Sequence, residues 1–178
     1  ASLRRSDGFV HTYFTVEPTH RPGTMFTYDT SASYVLSALV ERVTGQSVFD
    51  VLRSRVFAPL GVDLGASARF LAGPEGICHG GSGLVIAPHA LLRLAEVINA
   101  RGIDPRSAHG DRRVLPAAVA ERLIEQRSRP SMQTWGSALR AGYGRQTWLP
   151  DAATWMMFGL GGQLVIGTRP LACAVLVG

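Results

Sequence analysis

Residues Pro22–Gly45 read PGTMFTYDTSASYVLSALVERVTG. Pro22-Gly23 is a turn signal, and Met25–Tyr28 is a short extended piece that leads into a polar turn, Tyr28-Asp29-Thr30. Directly behind that turn Val35, Leu36, Leu39, Val40 and Val43 recur at helical spacing, and Gly45 is placed to end the run as a C-cap. The spacing predicts a helix over Ser31–Thr44, anchored by its apolar face, with the phenol of Tyr28 held at its rim. A core helix needs no tyrosine in the turn before it. A site does, so Tyr28 is the first candidate functional residue.

Working outward, residues 1–10 are polar and basic and are expected to be a loop or ragged end, as is the start of the chain to residue 20. His11–Val16, HTYFTV, has strand composition and is closed by Pro18 and Pro22. Downstream, Ser47–Val56 is a second helix. Ser47 and Asp50 form a capping-box pair with Asp in place of the usual Glu, and Pro59-Leu60-Gly61 stops the element. Residues 62–76 are a loop. Gly76–Ala87 is glycine-dense and then apolar. Pro88–Ala100 is a third helix, with Leu91, Leu92, Leu94, Ala95 and Ile98 facing inward and proline in its first turn. Residues 101–115 are a loop, Pro116–Gln126 a fourth helix, and 127–142 irregular.

Beyond Tyr143 the period shortens. Tyr143–Trp148, Thr154–Phe158, Gln163–Gly167 and Leu171–Val177 read as strands. Pro150-Asp151, Gly159–Gly162 and Thr168–Pro170 are the turns between them. Helices followed by an antiparallel meander imply an α+β fold, with helices packed on a sheet. The expected organisation is one partial domain over 1–178, mainly helical over 22–126 and sheet over 143–178.

Composition excludes several classes of function. At 178 residues and 46% apolar the chain can build a core, and with 17% charged residues it is not a disordered segment. The formal charge is +5, and all 18 basic residues are arginine. They are scattered singly or in pairs, without the clustered face of a nucleic-acid binder. Arginine keeps its proton and serves neither as general base nor as Schiff-base amine, so no lysine-dependent step can be completed by these residues alone. Cys78 and Cys173 form no CxxC pair and are expected to be free thiols, with one bridge left open. No apolar run is long enough for a membrane span. The chain begins at Ala1 without a signal-like segment and is expected to be a trimmed piece, its compartment left open.

Familiar sites are missing too. No serine has glycine at both flanking positions of a G-x-S-x-G elbow, so His79-Gly80-Gly81 does not stand as a lipase-type oxyanion loop. No HExxH, clustered metal-ligand spacing or phosphate-binding glycine loop occurs, so no metal or cofactor is expected; the five histidines are dispersed. Two features remain. One is the Tyr28 turn. The other is Gly159-Leu160-Gly161-Gly162-Gln163 after Trp155–Phe158, a tight turn or a glycine-rich strand edge.

Three segments together resemble the penicillin-recognising serine hydrolases: class C-type β-lactamases, D-alanyl-D-alanine carboxypeptidases, related esterases and 6-aminohexanoate-dimer hydrolases. Pro22–Val62 resembles the family's PG-x-x-F-x-Y segment, the helix ending in TG, and the PLG stop. GGSGLVIAPHALLRLAEVI resembles its GG-x-GL segment, with His89 where aspartate is usual. GYGRQTW and FGLGGQLVIGTRPLACAVLVG resemble its closing strands.

The resemblance implies a β-lactamase/transpeptidase-like fold, incomplete in this chain. It also implies a serine in Ser-x-x-Lys that attacks an amide, ester or lactam carbonyl of a small, peptide-like substrate. Tyr28 matches the tyrosine that relays a proton, which a phenol does best beside positive charge. Thr30 matches the residue that orients the substrate amide. Gly161, Gly162 and Gln163 match the third motif, where the N–H of Gly162 or Gln163 would supply half of an oxyanion hole. Ser-x-x-Lys itself is absent, and in the family it lies upstream of the tyrosine motif. Leu160 stands where lysine or histidine is usual, which favours an esterase, amidase or aminohexanoate-hydrolase-like branch over an efficient β-lactamase. Two further readings are a non-catalytic relative that kept the pocket and a helical partner-binding scaffold.

Overall fold

The computed structural model describes residues 8–130, 136–168 and 173–176. The chain divides into two compact units. The first consists of residues up to Ser54 with Leu64–Ile86, and the second of Arg55–Asp63 with the residues from Ala87 onward.

In the first unit, helix α1 spans Phe9–Thr15, α2 spans Thr30–Thr44, and α3 spans Val48–Leu52. Strands β1, Arg69–Phe70, and β2, Leu84–Val85, pair antiparallel with Arg69 opposite Val85. The strand expected over His11–Val16 is therefore a helix. Aromatic and β-branched residues suit a strand, but tertiary contacts override that preference. The Phe9 N–H, an otherwise orphaned donor of the first helical turn, donates to Glu75 Oε2 at 2.9 Å. Thr12 N–H closes on Gly8 O at 3.1 Å, and the Thr12 hydroxyl donates to the same carbonyl at 2.9 Å. Ala1–Asp7, part of the expected loop, lie outside the described residues.

The helix behind Tyr28 starts one residue earlier than its spacing predicts. Asp29 is its N-cap, with Oδ1 accepting the Ser31 N–H at 2.8 Å. Gly45 ends it at φ 67°, a left-handed conformation that glycine adopts without steric cost, and its N–H donates to Glu41 O at 2.8 Å. The anchoring face differs from the apolar one. Tyr34 and Ser37 are buried, whereas Leu36, Leu39 and Val43 are 51%, 55% and 75% exposed. Close backbone approach decides this. Gly80 and Gly81 press onto the Thr30–Ser33–Ser37 side, where a Cβ on Gly80 would meet Ser33 O at 2.5 Å and one on Gly81 the Thr30 methyl at 2.9 Å. The glycine pair is thus explained by packing.

Helix α3 shows the expected capping pair: Ser47 Oγ accepts the Asp50 N–H at 3.0 Å and donates to Asp50 Oδ2 at 2.7 Å. It widens into a π-turn over Arg53–Phe57 instead of continuing as an α-helix to Val56.

In the second unit, α4 is Pro88–Asn99 with proline in its first turn, and α5 is Ala117–Leu123. Strands β3 (Thr154–Phe158), β4 (Leu164–Thr168) and β5 (Cys173–Leu176) form an antiparallel sheet in the order β3-β4-β5. Ala95 and Ile98 of α4 share a core with Ile124, Leu149, Trp155 and Val165, and Leu91 and Leu94 pack at its margin. Trp155 lies opposite Gly167 in the β3–β4 register, and its ring fills the space that a Cβ on Gly167 would need. The Trp155 Nε1–H donates to Asn99 Oδ1 at 2.7 Å, while Asn99 Nδ2 donates to Thr168 O at 3.1 Å. One side chain thereby ties the end of α4 to two strands. The sheet's burial alternates along β4, the period expected of a strand with one face on a core.

Tyr143–Trp148, expected as a strand, is a turn with isolated bridges. Gly144 N–H donates to Thr147 O at 2.8 Å, and Gln146 sits at φ 62°, in the left-handed region that extended chain avoids. Of the last predicted strand, Cys173–Leu176 is observed; Leu171, Ala172 and Val177 lie outside the described residues, as do Arg169 and Pro170 of the turn before it.

Candidate functional site

Tyr28 and Thr30 occupy the N-terminal end of α2. Tyr28 is 37% exposed, the rim position expected of it. Asp29 fixes the turn between them by capping the helix, its Oδ1 accepting the Ser31 N–H. Thr30 is the first residue of the helix.

Thr30 also lines a cavity of about 130 Å³, with Phe9, Ser31, Tyr34, His79 and Ser82. Spacing alone did not mark these five as site residues. Tyr34 is the centre of the wall. Its ring meets Phe9 edge-on at 5.3 Å and His79 at 6.2 Å, and its hydroxyl donates to Glu75 Oε2 at 2.8 Å. Burial pushes its pKa well above the usual tyrosine value, and the bond to the Glu75 carboxylate pushes it the same way. Tyr34 therefore stays protonated and acts as a fixed donor. His79 Nδ1 and Ser82 Oγ lie 3.3 Å apart at the mouth. The available signal in the sequence was that Thr30 and Tyr34 stand one helical turn apart and so share a face.

The second candidate group, Gly161, Gly162 and Gln163, forms the exposed turn between β3 and β4. Gly159 N–H donates to Gln163 O at 2.8 Å and Gly162 N–H to Gly159 O at 2.9 Å. Gly162 adopts φ 88°. The Gln163 side chain folds back over the turn, where a Cβ on Gly159 would meet its Oε1 at 2.8 Å and one on Gly161 its Oε1 at 3.0 Å. Leu160 is 96% exposed at the tip. These three residues belong to the second unit, Tyr28 and Thr30 to the first, and each group is described within its own.

Among the described residues no group of three or more His, Cys, Asp or Glu side chains could hold a metal ion, and no helix is long and apolar enough to cross a membrane. Cys78 is a buried free thiol.

Comparison with known proteins bears directly on these two groups. A match to the family described as Beta-lactamase runs over residues 2–177 and so includes both. The chain belongs to the Beta-lactamase family.

Two solved structures show the β-lactamase-like fold that this family member shares. One, provisionally named a 6-aminohexanoate-dimer hydrolase from Bacillus anthracis, superposes with a TM-score of 0.67 at 18% identity, over 89% of this chain and 39% of that one. The other, provisionally named a beta-lactamase from Bacteroides dorei, gives a TM-score of 0.69 at 18% identity, over 90% of this chain and 52% of that one. The α+β class read from the order of elements is thereby shown. The chain spans about two fifths to one half of the length of these two structures. No curated protein matches it.

Proposed function

We propose that the protein to which this chain belongs is a serine hydrolase that opens an amide, ester or lactam carbonyl through an acyl-enzyme. The nucleophile is a serine in a Ser-x-x-Lys motif outside these 178 residues. Its oxygen forms the new bond to the carbonyl carbon and loses its proton to a neighbouring base. The leaving amine or alkoxide departs with a proton, and water then hydrolyses the ester left on the serine. Tyr28 carries the proton between nucleophile and leaving group. Thr30 orients the substrate amide. Gly162 N–H is engaged by Gly159 O within its turn, so the half of the oxyanion hole assigned to this segment falls to Gln163 N–H. Gly161 and Gly162 let the substrate approach the backbone closely. The partner is a small amide, ester or peptide-like molecule, and scattered arginines speak against nucleic acid. By itself this segment is inactive.

The observation that carries this reading is the family match across both candidate groups, with Tyr28 presented at a capped helix start. The exposed Leu160 favours an esterase or amidase branch, because an apolar side chain there offers no charge to a substrate carboxylate. The test is intact mass spectrometry of the full-length protein after exposure to a fluorophosphonate or a penicillin-type acylating agent. One adduct on an upstream serine, abolished by Ser→Ala, is expected. Folded full-length protein that takes up neither reagent would leave a non-catalytic binding relative as the better reading.

A further inference from the structure

The second unit holds a cavity of about 320 Å³ that takes no part in the acyl-transfer reading. Its floor is Ile124, Leu149 and Trp155, three members of the unit's core. Its volume is in the range of small-ligand pockets, roughly 300–1,000 Å³. It opens at the Thr154 end of β3, whereas Gly161–Gln163 follow the Phe158 end.

The charge around this floor is of one sign. Among the described lining residues Asp151 is the one ionised side chain, in a chain whose net charge is +5. Its Oδ1 accepts the N–H groups of Ala153 and Thr154, both at 2.8 Å, so the carboxylate is held in place by backbone that itself lines the cavity. The Ala153 N–H first, then the Thr154 hydroxyl and N–H, keep its pKa below the usual aspartate value, and the group is charged at neutral pH. Gln126 supplies a second acceptor. Its Oε1 would lie 3.3 Å from a Cβ on Gly142, and the missing side chain of Gly142 leaves the amide its place. Among the described residues no arginine lines the cavity; of those next to its walls in sequence, Arg127 is paired with Glu125, as is Arg145, while Arg140, beside Ala141, donates to Gly136 O at 3.5 Å.

We propose that this cavity binds a small organic ammonium ion, an amine carried on an aromatic or short alkyl body. The apolar body would rest on Ile124, Leu149 and Trp155. The ammonium would donate to Asp151 and Gln126. An anion would meet the Asp151 charge, and a neutral analogue would forgo a charge-assisted hydrogen bond, so the cavity selects by charge as well as by size.

Isothermal titration of the full-length protein with benzylamine, benzyl alcohol and benzoate tests this. Benzylamine is expected to bind saturably, benzyl alcohol at least ten-fold more weakly, and benzoate not measurably. Asp151→Asn keeps an Oδ1 to accept the two N–H groups while removing the charge, so it should fold normally. It should bring benzylamine down to the level of benzyl alcohol. Ala141→Leu, which narrows the cavity from its exposed wall, should weaken both ligands together. Absence of saturable benzylamine binding, equal affinity for benzylamine and benzyl alcohol, or unchanged affinity in Asp151→Asn would each overturn the proposal. None of these readouts involves acylation of a serine.

Discussion

The hydroxyl of Tyr34 donates to Glu75 Oε2 at 2.8 Å, and the same oxygen accepts the Phe9 N–H at 2.9 Å. One carboxylate oxygen thus holds the buried face of α2 and the first turn of α1. Glu75→Ala removes that acceptor from a phenol that is 5% exposed. Leaving a buried donor unpaired costs about 1–3 kcal/mol. Urea unfolding of the full-length protein should show a loss of that size, and Glu75→Gln, which retains an acceptor oxygen, should recover most of it. Unchanged unfolding in Glu75→Ala would mean that water satisfies Tyr34 as well as the carboxylate does.

The same pair has a pH signature. The pKa of Tyr34 is raised in the folded protein above its ordinary value of 10.0. The unfolded chain therefore ionises first as the solution becomes alkaline. The stabilising contribution is complete below about pH 10 and shrinks as pH climbs from there toward the folded-state value. Stability of the protein should fall with pH in that window. Tyr34→Phe should lose this component of the slope, and a slope identical to the parent's would refute the assignment.

A different network governs the acid side. Arg93 donates to Asp104 at 2.7 Å and to Glu96 at 2.8 Å, and Arg106 also bonds Glu96. Asp104 is nearly sealed from solvent and also accepts the Arg106 backbone N–H at 3.0 Å. Burial alone would raise the Asp104 pKa. The bonds from Arg93 and from the Arg106 N–H outweigh it and hold the carboxyl below its ordinary value. Stability from this group is present above the unfolded carboxyl pKa of about 4 and is lost as pH falls through the lowered folded value. Arg93→Ala should cost about 3–5 kcal/mol, the penalty of a buried charge left without its partner. Asp104→Asn should flatten the acid limb of a stability-versus-pH curve; an unaltered limb would assign it to other carboxylates.

Elements whose ends carry their own chemistry were legible in the sequence. Asp29 and Gly45 bound α2, Ser47 with Asp50 opens α3, Pro88 opens α4, and a glycine turn joins β3 to β4. Elements fixed by distant partners were not. HTYFTV has strand composition, but α1 is capped by Glu75, 66 residues downstream of Phe9, and no local pattern announces such a bond. The apolar stripe of α2 suggested its buried face. Two glycines at 80 and 81 instead bring backbone against Thr30, Ser33 and Ser37, a choice set by close approach rather than by hydrophobic count. The candidate site divides in the same way. Tyr28 and Thr30 were readable because a capped turn and a family motif coincide there. The Tyr34–Glu75–His79 wall required the fold.

The glycine pair makes that argument testable. A Cβ on Gly80 would run into Ser33 O and the Ser37 hydroxyl, and Gly80 is at φ 72°, where side chains are strained. Overpacking of this kind costs about 1–3 kcal/mol. Gly80→Ala should lower the thermal midpoint clearly. Gly45→Ala, at φ 67° with open space around its Cβ, should lower it less, since only the backbone cost applies. Equal losses in the two variants would show that φ, and not contact with α2, explains the glycine at 80.

The role proposed for Tyr28 separates chemistry from architecture. Its phenol stands at the rim of α2, and the turn that carries it is held by the Asp29 cap to Ser31. Tyr28→Phe removes one hydroxyl from a ring 37% exposed and leaves the Asp29 cap in place, and the fold should survive. If that hydroxyl moves the proton in acyl transfer, acylation by a penicillin-type reagent should slow by roughly 10²–10⁴-fold, the usual worth of a general acid–base group. A fluorophosphonate is a more reactive electrophile and should still label the serine, though more slowly. Asp29→Ala supplies the contrast: it loses the cap, about 1 kcal/mol of stability, and should slow acylation only as far as the turn loosens. A Tyr28→Phe protein acylated at the parent's rate, with unaltered stability, would remove Tyr28 from the proton path and leave its turn as packing alone.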